Sequence, residues 1–111
     1  MSETLRRMGE VDRLIHEPAR LMIMTILYAA EQVDFLYLQR ETGLTKGNLS
    51  AHLSRLEEAE YVQIEKAFRG KLPQTVCSLS GKGRAAFEAY RGQLRQIAGD
   101  LPDGPDPTGQ P

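Results

Sequence analysis

One stretch in the middle of the chain, residues 42–58, limits most strongly what this sequence can fold into. Three leucines recur there at the spacing of one apolar helical stripe: Leu49, Leu53 and Leu56. Thr45 precedes the stripe as a good N-cap, because its hydroxyl can accept a hydrogen bond from the first helical turn. Gly43 suits the left-handed turn that ends a preceding helix. The pattern predicts two short helices joined by a tight turn, the second ending near Ala59.

The opposite face of this second helix is small, polar and basic until Glu57 and Glu58. A helix that enters the major groove of DNA must bring its backbone close to the base edges, and bulky side chains would hold it off. Asn48 can pair with adenine, Arg55 with guanine or phosphate, and the Ala51 methyl can touch a thymine methyl. An ordinary amphipathic helix with a solvated outer face shows the same spacing, so the pattern alone leaves both interpretations open.

The composition limits the classes of protein to which this chain can belong. The 111 residues suffice for one domain, and hydrophobic and charged contents of 41% and 26% are ordinary for a globular chain. No apolar run approaches the roughly 18 residues of a membrane-spanning helix, and the first residues lack the apolar segment of a secretory signal. Cys77, the single cysteine, cannot form an internal disulfide and fits a reducing compartment. We therefore expect a cytoplasmic protein without a membrane segment.

The net charge of −1 does not by itself indicate a nucleic-acid ligand, but the charge is unevenly distributed. Residues 100–111 hold three aspartates and no basic residue, and the remainder has 14 basic against 12 acidic residues, a net charge of +2. Residues 66–84 contain no acidic residue and five basic ones: Lys66, Arg69, Lys71, Lys82 and Arg84. Positive charge is thus concentrated downstream of the 42–58 stretch.

Helical spacing of apolar residues predicts a first helix over residues 1–15. We expect it to contact a partner chain; the alternative is a helix folded back on its own domain. Pro18 suits the first position of the next helix, and the apolar run 21–27 indicates that this helix is buried on most sides. Asp34 can cap a third, short helix, of which three residues are expected to face inward: Phe35, Leu36 and Leu38.

After the 42–58 stretch the apolar pattern changes from helical to alternating. Residues 61–65 and 75–79 are typical of two strands of a hairpin, with a basic-tipped turn over residues 68–73. Ser80 then caps a final helix that is predicted to run to residue 98. The Pro/Gly/Asp-rich tail, residues 99–111, holds too few apolar groups to order itself, so we expect it to be disordered.

These elements also resemble a known family. The similarity to small winged-helix transcriptional regulators related to the MarR and ArsR groups rests on Leu44-Thr45-Lys46-Gly47-Asn48-Leu49-Ser50-Ala51-His52-Leu53, Leu56-Glu57-Glu58-Ala59, Tyr61-Val62, Phe68-Arg69-Gly70-Lys71 and Leu79-Ser80-Gly81-Lys82-Gly83-Arg84. It covers residues 16–96. The resemblance implies an α+β, mostly helical winged helix-turn-helix fold: a three-helix core, a two-stranded β-hairpin wing, and N- and C-terminal helices for dimerisation. The expected domains are residues 1–15 for a dimer contact, 16–98 for DNA binding and 99–111 as the tail.

The resemblance implies a homodimer that binds double-stranded operator DNA, with one helix in the major groove and the wing on flanking DNA. The candidate DNA-binding residues are Thr45, Lys46, Gly47, Asn48, Ser50, Ala51, Ser54 and Arg55 on the second helix of the motif, and Arg69, Gly70 and Lys71 at the wing tip. One departure is Glu60, which stands where such sequences usually have glycine. A side chain held there at positive φ costs about 1 kcal/mol. Paired cysteines of metal-sensing members are absent, so metal sensing is not carried over.

No arrangement of side chains predicts an enzyme, a metal site or a cofactor site. His16 and His52 share no short motif with other ligands at zinc spacing, and His52, one step off the apolar stripe, fits a packed helix residue. Cys77 fits a buried apolar filler, and no nucleophile has a base beside it. The alternative function is a winged-helix module for protein contact without DNA binding, which the near-neutral charge and the glutamates at 57, 58, 60 and 65 favour.

Overall fold

Helices make up most of the chain, and they enclose one small antiparallel sheet. The computed structural model describes residues 2–108. Within that range the elements are α1 (Ser2–Gly9), α2 (Pro18–Ala29), β1 (Gln32–Asp34), α3 (Phe35–Thr42), α4 (Lys46–Glu58), β2 (Val62–Arg69), β3 (Leu72–Leu79) and α5 (Gly81–Asp100). The expected mostly helical α+β, winged helix-turn-helix fold is confirmed.

The hydrophobic core is centred on α2. Ile23, Met24 and Leu27 of this helix have no exposed surface, as the apolar run predicted. Pro18 begins the helix, and the Glu17 carboxylate accepts a hydrogen bond from the Arg20 N–H at 2.8 Å. Because α2 contacts α3, α4, α5 and β3, it holds the other elements in place.

The turn between α3 and α4 follows the predicted chemistry. Gly43 ends α3 with φ of 72°, and the Thr45 hydroxyl accepts from the Asn48 N–H at 3.1 Å. The apolar stripe of α4 is buried: Leu49, Leu53 and Leu56. Asp34 caps α3, but the expectation that Leu36 faces inward is wrong, because its side chain is 71% exposed. Leu38 is the fully buried residue of α3, and Leu36 lies two positions away, on the far side of the helix.

The sheet has three strands rather than two, in the order β1-β3-β2 with both pairings antiparallel. The sequence indicated only a break at Gln32–Asp34, because three residues are too few to show an alternating pattern. In the hairpin, Val62 pairs with Leu79 and Arg69 with Leu72, so pairing extends to the very tip. The turn is therefore two residues long, shorter than the predicted 68–73. We call β2, β3 and their turn, residues 62–79, the wing.

The N-terminal segment differs from the predicted helix over residues 1–15. Helix α1 ends at Gly9, and the Asp12 carboxylate then accepts from the N–H groups of Leu14 and Ile15 at 2.9 and 3.2 Å. These bonds stabilise a turn in place of further helix, and they allow Ile15 to be fully buried. Helix α1 packs against α5 of its own chain, where Arg7 pairs with Asp100 at 2.9 Å.

At the other end, α5 continues to Asp100, two residues beyond the predicted end at 98. Residues 101–108 are exposed and form neither helix nor strand. The rest of the predicted disordered tail, residues 109–111, and the first residue of the predicted N-terminal helix lie outside the described residues. Between residues 2 and 108, no helix has both the length and the apolar character needed to cross a bilayer.

Candidate nucleic-acid interface

The outer face of α4 is open to solvent along its whole length. Its eight candidate residues are all exposed: Thr45, Lys46, Gly47, Asn48, Ser50, Ala51, Ser54 and Arg55. The leucine stripe fixes this orientation, since burying Leu49, Leu53 and Leu56 turns the opposite side outward. The helix thus presents short side chains over most of its exposed face, so its backbone can approach a ligand surface closely.

The wing ends in a narrow cationic tip. Gly70 has φ of 64°, whereas Lys71 has a negative φ, since Glu60 is the one non-glycine residue with positive φ between residues 2 and 108. A glycine at the first turn position followed by a residue of negative φ is the pattern of a type II′ hairpin turn. Arg69, Gly70 and Lys71 are all exposed.

A cleft of about 520 Å³ lies between α4 and the wing. Lys46, Ser50 and Ser54 line it from α4, and Lys66 and Thr75 line it from the wing. The structure therefore brings these three candidate residues of α4 to one wall, with the base of the wing as the other wall. Four further candidates lie on α4 outside the lining, namely Gly47, Asn48, Ala51 and Arg55, and the N-cap Thr45 is also outside it. The wing-tip residues Arg69, Gly70 and Lys71 do not line the cleft either.

Several cleft residues were not among the predicted site residues. Five are polar or charged, namely Asp34, Gln39, Lys66, Gln74 and Thr75, and five are apolar, namely Phe35, Leu36, Leu53, Ile64 and Pro73. Only Lys66 could have been found from the sequence. It begins the acid-free segment, and it lies two positions from Ile64, on the same face of β2. The others depend on how α3 and the wing pack together, which no local pattern contains.

Positive charge on this side is not neutralised within the chain. No ion pair within residues 2–108 involves the basic side chains of α4 and the wing: Lys46, Arg55, Lys66, Arg69 and Lys71. Asp34 lines the cleft, but its two oxygens accept from the Tyr37 N–H at 2.7 Å and from the Gln74 amide at 3.5 Å. The cations are thus available to an external anion.

The other two basic residues of the 66–84 segment are engaged elsewhere. Lys82 lies 3.8 Å from a Glu60 carboxylate oxygen, and the Arg84 guanidinium stands 4.9 Å from the centre of the Tyr28 ring. A second, shallower depression holds the acidic residues Glu57, Glu60 and Glu65. This depression adjoins the cleft, because Ile64 lines both, but none of its three glutamates is among the residues that line the cleft.

The inner side of α4 is held by a polar cluster. His52 is half-buried, and its Nδ1 lies 3.1 Å from Arg20 Nη1 and 3.8 Å from Glu17 Oε2. The buried Arg20 also donates from Nε to the Leu14 carbonyl at 2.6 Å. The interpretation of His52 as a packed, hydrogen-bonded residue is confirmed. Cys77 is fully buried, and burial, with the charges of Asp34 and Glu57, raises the pKa of its thiol to about 11.

The fold agrees with that of known proteins. A family model for the winged helix DNA-binding domain matches residues 19–98. An uncharacterised protein of Methanocaldococcus jannaschii is 32% identical over 89 residues, which are 80% of this chain and 97% of that protein.

Solved structures give the same result. A transcriptional regulator homologue from Pyrococcus horikoshii OT3 superposes with a TM-score of 0.80 at 27% identity, covering 89% of this chain and 99% of that one. Overoxidized AbfR bound to DNA superposes with a TM-score of 0.68 at 18% identity, covering 81% and 66%, a likeness of fold alone. The resemblance to small winged-helix regulators is confirmed, and the chain belongs to the winged helix DNA-binding domain family.

Proposed function

We propose that this protein is a sequence-specific, double-stranded DNA-binding transcriptional regulator that acts as a homodimer. Helix α4 enters the major groove, and the wing lies on the flanking DNA. One observation carries the proposal: the cleft has α4 as one wall and the wing as the other, with an unpaired lysine on each, Lys46 and Lys66. The negatively charged phosphates of a DNA strand can bind between two positively charged walls.

Sequence reading is assigned to α4. Asn48 can form two hydrogen bonds with adenine, and Arg55 with guanine. The short side chains around them let the helix backbone approach the DNA closely, so that Asn48 and Arg55 can reach the base edges. These short residues are Gly47, Ser50, Ala51 and Ser54. Lys46 follows the Thr45 cap at the start of the helix, where its ammonium group can bind a phosphate. The helix dipole also favours an anion at this N-terminal end.

Binding strength is assigned in part to the wing. Arg69 and Lys71 project from a two-residue turn at the end of two eight-residue strands. From there they can reach phosphates, or the minor groove next to the major groove that α4 occupies. Gly70 permits the tight turn. Contacts of this kind add affinity for any duplex and carry little sequence information.

The dimer is assigned to the terminal helices. Helix α1 packs on α5, and the pair leaves Leu5 58% and Met8 38% exposed. Residues three apart lie on the same side of a helix, so these two form one apolar strip beside a helix of 20 residues. Pairing two copies along this strip would present two α4 helices to successive major grooves, roughly 34–36 Å apart on a palindromic site.

Support from relatives is consistent with this assignment. The Pyrococcus horikoshii protein is described as a transcriptional regulator homologue, and AbfR has been crystallised bound to DNA. Within residues 2–108 the cleft lining holds none of the glutamates that favoured a protein-contact module, so these side chains do not occupy the space proposed for DNA.

Selection of bound fragments from a random duplex library tests the proposal. We expect a palindromic consensus, and affinity that falls steeply with salt because bound phosphates release counterions. Asn48→Ala should relax the preference at one base pair per half-site, costing about 1–3 kcal/mol for the preferred base. Lys71→Ala should weaken binding to all duplexes and lower the salt slope by about one per subunit.

Lys82→Ala is the matched control for Lys71→Ala, since Lys82 is also an exposed lysine but pairs with Glu60 away from the cleft. It should leave the salt slope unchanged. If the wild-type chain is not retained on random duplex even at low salt, where non-specific phosphate binding is strongest, the protein-contact module becomes the better assignment.

A further inference from the structure

Two large apolar side chains stand exposed at the tip of the wing. Phe68 is 73% exposed and Leu72 is 70% exposed, one on each side of Arg69, Gly70 and Lys71. Neither contributes to the hydrophobic core. An apolar pair rimmed by charged residues at the end of a projecting hairpin is typical of a contact site, since water contact with both side chains is unfavourable.

The strand register places these two side chains on opposite faces of the wing. Phe68 pairs with Pro73, and Arg69 pairs with Leu72. Because successive residues of a strand alternate in direction, Phe68 lies on the face of Ile64 and Lys66, which line the cleft. Leu72 lies on the other face. The tip is therefore apolar on both sides and only two strands wide.

A partner for this tip must satisfy its charge as well as its apolar faces. Arg69 and Lys71 adjoin the apolar pair, no acidic residue occurs from residue 66 to 84, and the tip continues the cationic side of the cleft. The minor groove of duplex DNA offers both features, because deoxyribose walls lie between two rows of phosphates. Its width of about 6 Å is less than the roughly 10 Å thickness of a strand layer that carries side chains on both faces, so the hairpin tip fits only if the groove opens.

We propose that the wing tip is an apolar wedge for the minor groove. Phe68 packs on the deoxyribose wall of one strand and Leu72 on that of the other, while Arg69 and Lys71 bind the phosphates at the rim. Opening the groove in this way bends the duplex, as apolar side chains inserted at minor grooves do elsewhere. The inference rests on the proposed DNA-binding function and adds a deformation of the DNA to it.

The test compares bending and affinity for one duplex, recovered from a random library by the wild-type chain and labelled with a fluorescent dye at each end. Wild-type protein should bring the ends closer, which raises energy transfer. The double variant F68A/L72A should lose most of that rise and bind about tenfold more weakly, because two apolar contacts are removed. Its salt slope should equal that of wild type, since no charge has changed.

Two other variants serve as matched controls. F68L/L72M keeps apolar side chains on both faces and should retain bending and affinity. Lys71→Ala should lower the salt slope by about one per subunit, which separates loss of a phosphate contact from loss of the wedge. Both positions are exposed, so folding should be unaffected, and circular dichroism checks this.

The remaining outcomes distinguish the wedge from the function on which it rests. If F68A/L72A binds and bends the duplex as wild type does, the wedge is overturned and the DNA-binding function stands. If that variant instead changes the sedimentation of the free protein, the tip is a contact between copies and the wedge is again overturned. If the wild-type chain recovers no duplex from the library, both proposals fail.

Discussion

At the first turn of α5, Gly83 leaves no room for a side chain. A Cβ atom built on Gly83 would lie 2.0 Å from the backbone oxygen of Tyr61, far inside contact distance. Ser80 holds the two segments together, because its N–H donates to the Tyr61 carbonyl at 3.0 Å and its hydroxyl accepts from the Gly83 N–H at 2.9 Å. The glycine is therefore needed for a close approach of helix to strand, and its neighbour Gly81 has no such contact.

Gly83→Ala should lower the free energy of unfolding by about 3 kcal/mol, because backbone atoms must shift to admit the methyl group. Gly92→Ala is the matched control, since a Cβ there would meet nothing within 4 Å. That substitution should raise stability by about 1 kcal/mol through helix propensity. Chemical denaturation of both variants gives the two values, and equal effects would contradict the close packing at Gly83.

The connection between α4 and β2 shows how an element boundary can be strained. Glu60 has φ of 64°, its N–H donates to the Glu57 carbonyl at 2.9 Å, and the next N–H, of Tyr61, donates to the Leu56 carbonyl at 2.9 Å. This pair of bonds is the Schellman arrangement, whose left-handed residue is usually glycine. Glu60 therefore occupies the left-handed position at which such sequences usually have glycine. The connection keeps its geometry in spite of the side chain.

Glu60→Gly should therefore stabilise the protein by about 0.5–1 kcal/mol, the relief of left-handed strain less the entropy that glycine adds to the unfolded chain. Glu60→Ala also removes the carboxylate and its 3.8 Å pair with Lys82, but it keeps the strain. Thermal unfolding of both variants should show a gain for glycine and none for alanine. A gain shared by both would point to the charge instead.

At the scale of the whole molecule, α1 and α5 form a layer on the side that the cleft does not use. The Arg7–Asp100 pair at 2.9 Å is exposed, so it adds little stability by itself. The apolar strip of Leu5 and Met8 on this layer is the surface that the proposed dimer requires. Because this layer contains both ends of the described chain, the proposed dimer would place the terminal helices of one copy against those of the other.

Leu5→Glu should shift the protein from dimer to monomer, because a carboxylate would be buried without a partner at the interface. Leu36→Glu is the control, since Leu36 is 71% exposed but lines the cleft. It should leave the oligomeric state unchanged. Sedimentation velocity distinguishes the two, and a Leu5→Glu protein with the sedimentation coefficient of wild type would remove α1 from the interface.

Features that depend on near neighbours could be predicted from the amino-acid sequence alone. Each of these features depends on hydrogen bonds or residue spacing within a few positions of the chain. They are the caps at Thr45 and Ser80, the left-handed Gly43 and the leucine stripe of α4. Such signals survive in any tertiary context, so the helix-turn-helix and the hairpin could be predicted. They also fixed which face of α4 is exposed, and hence all eight candidate residues on it.

Features that depend on distant partners emerged only from the folded chain. Strand β1 exists because Val33 meets Cys77, and Lys66 becomes a cleft residue because the wing packs beside α4. The predicted N-terminal helix is shorter because Asp12 forms a turn that lets Ile15 enter the core. Pairing energies between remote segments are not written in any local pattern, since they arise only when folding brings those segments together.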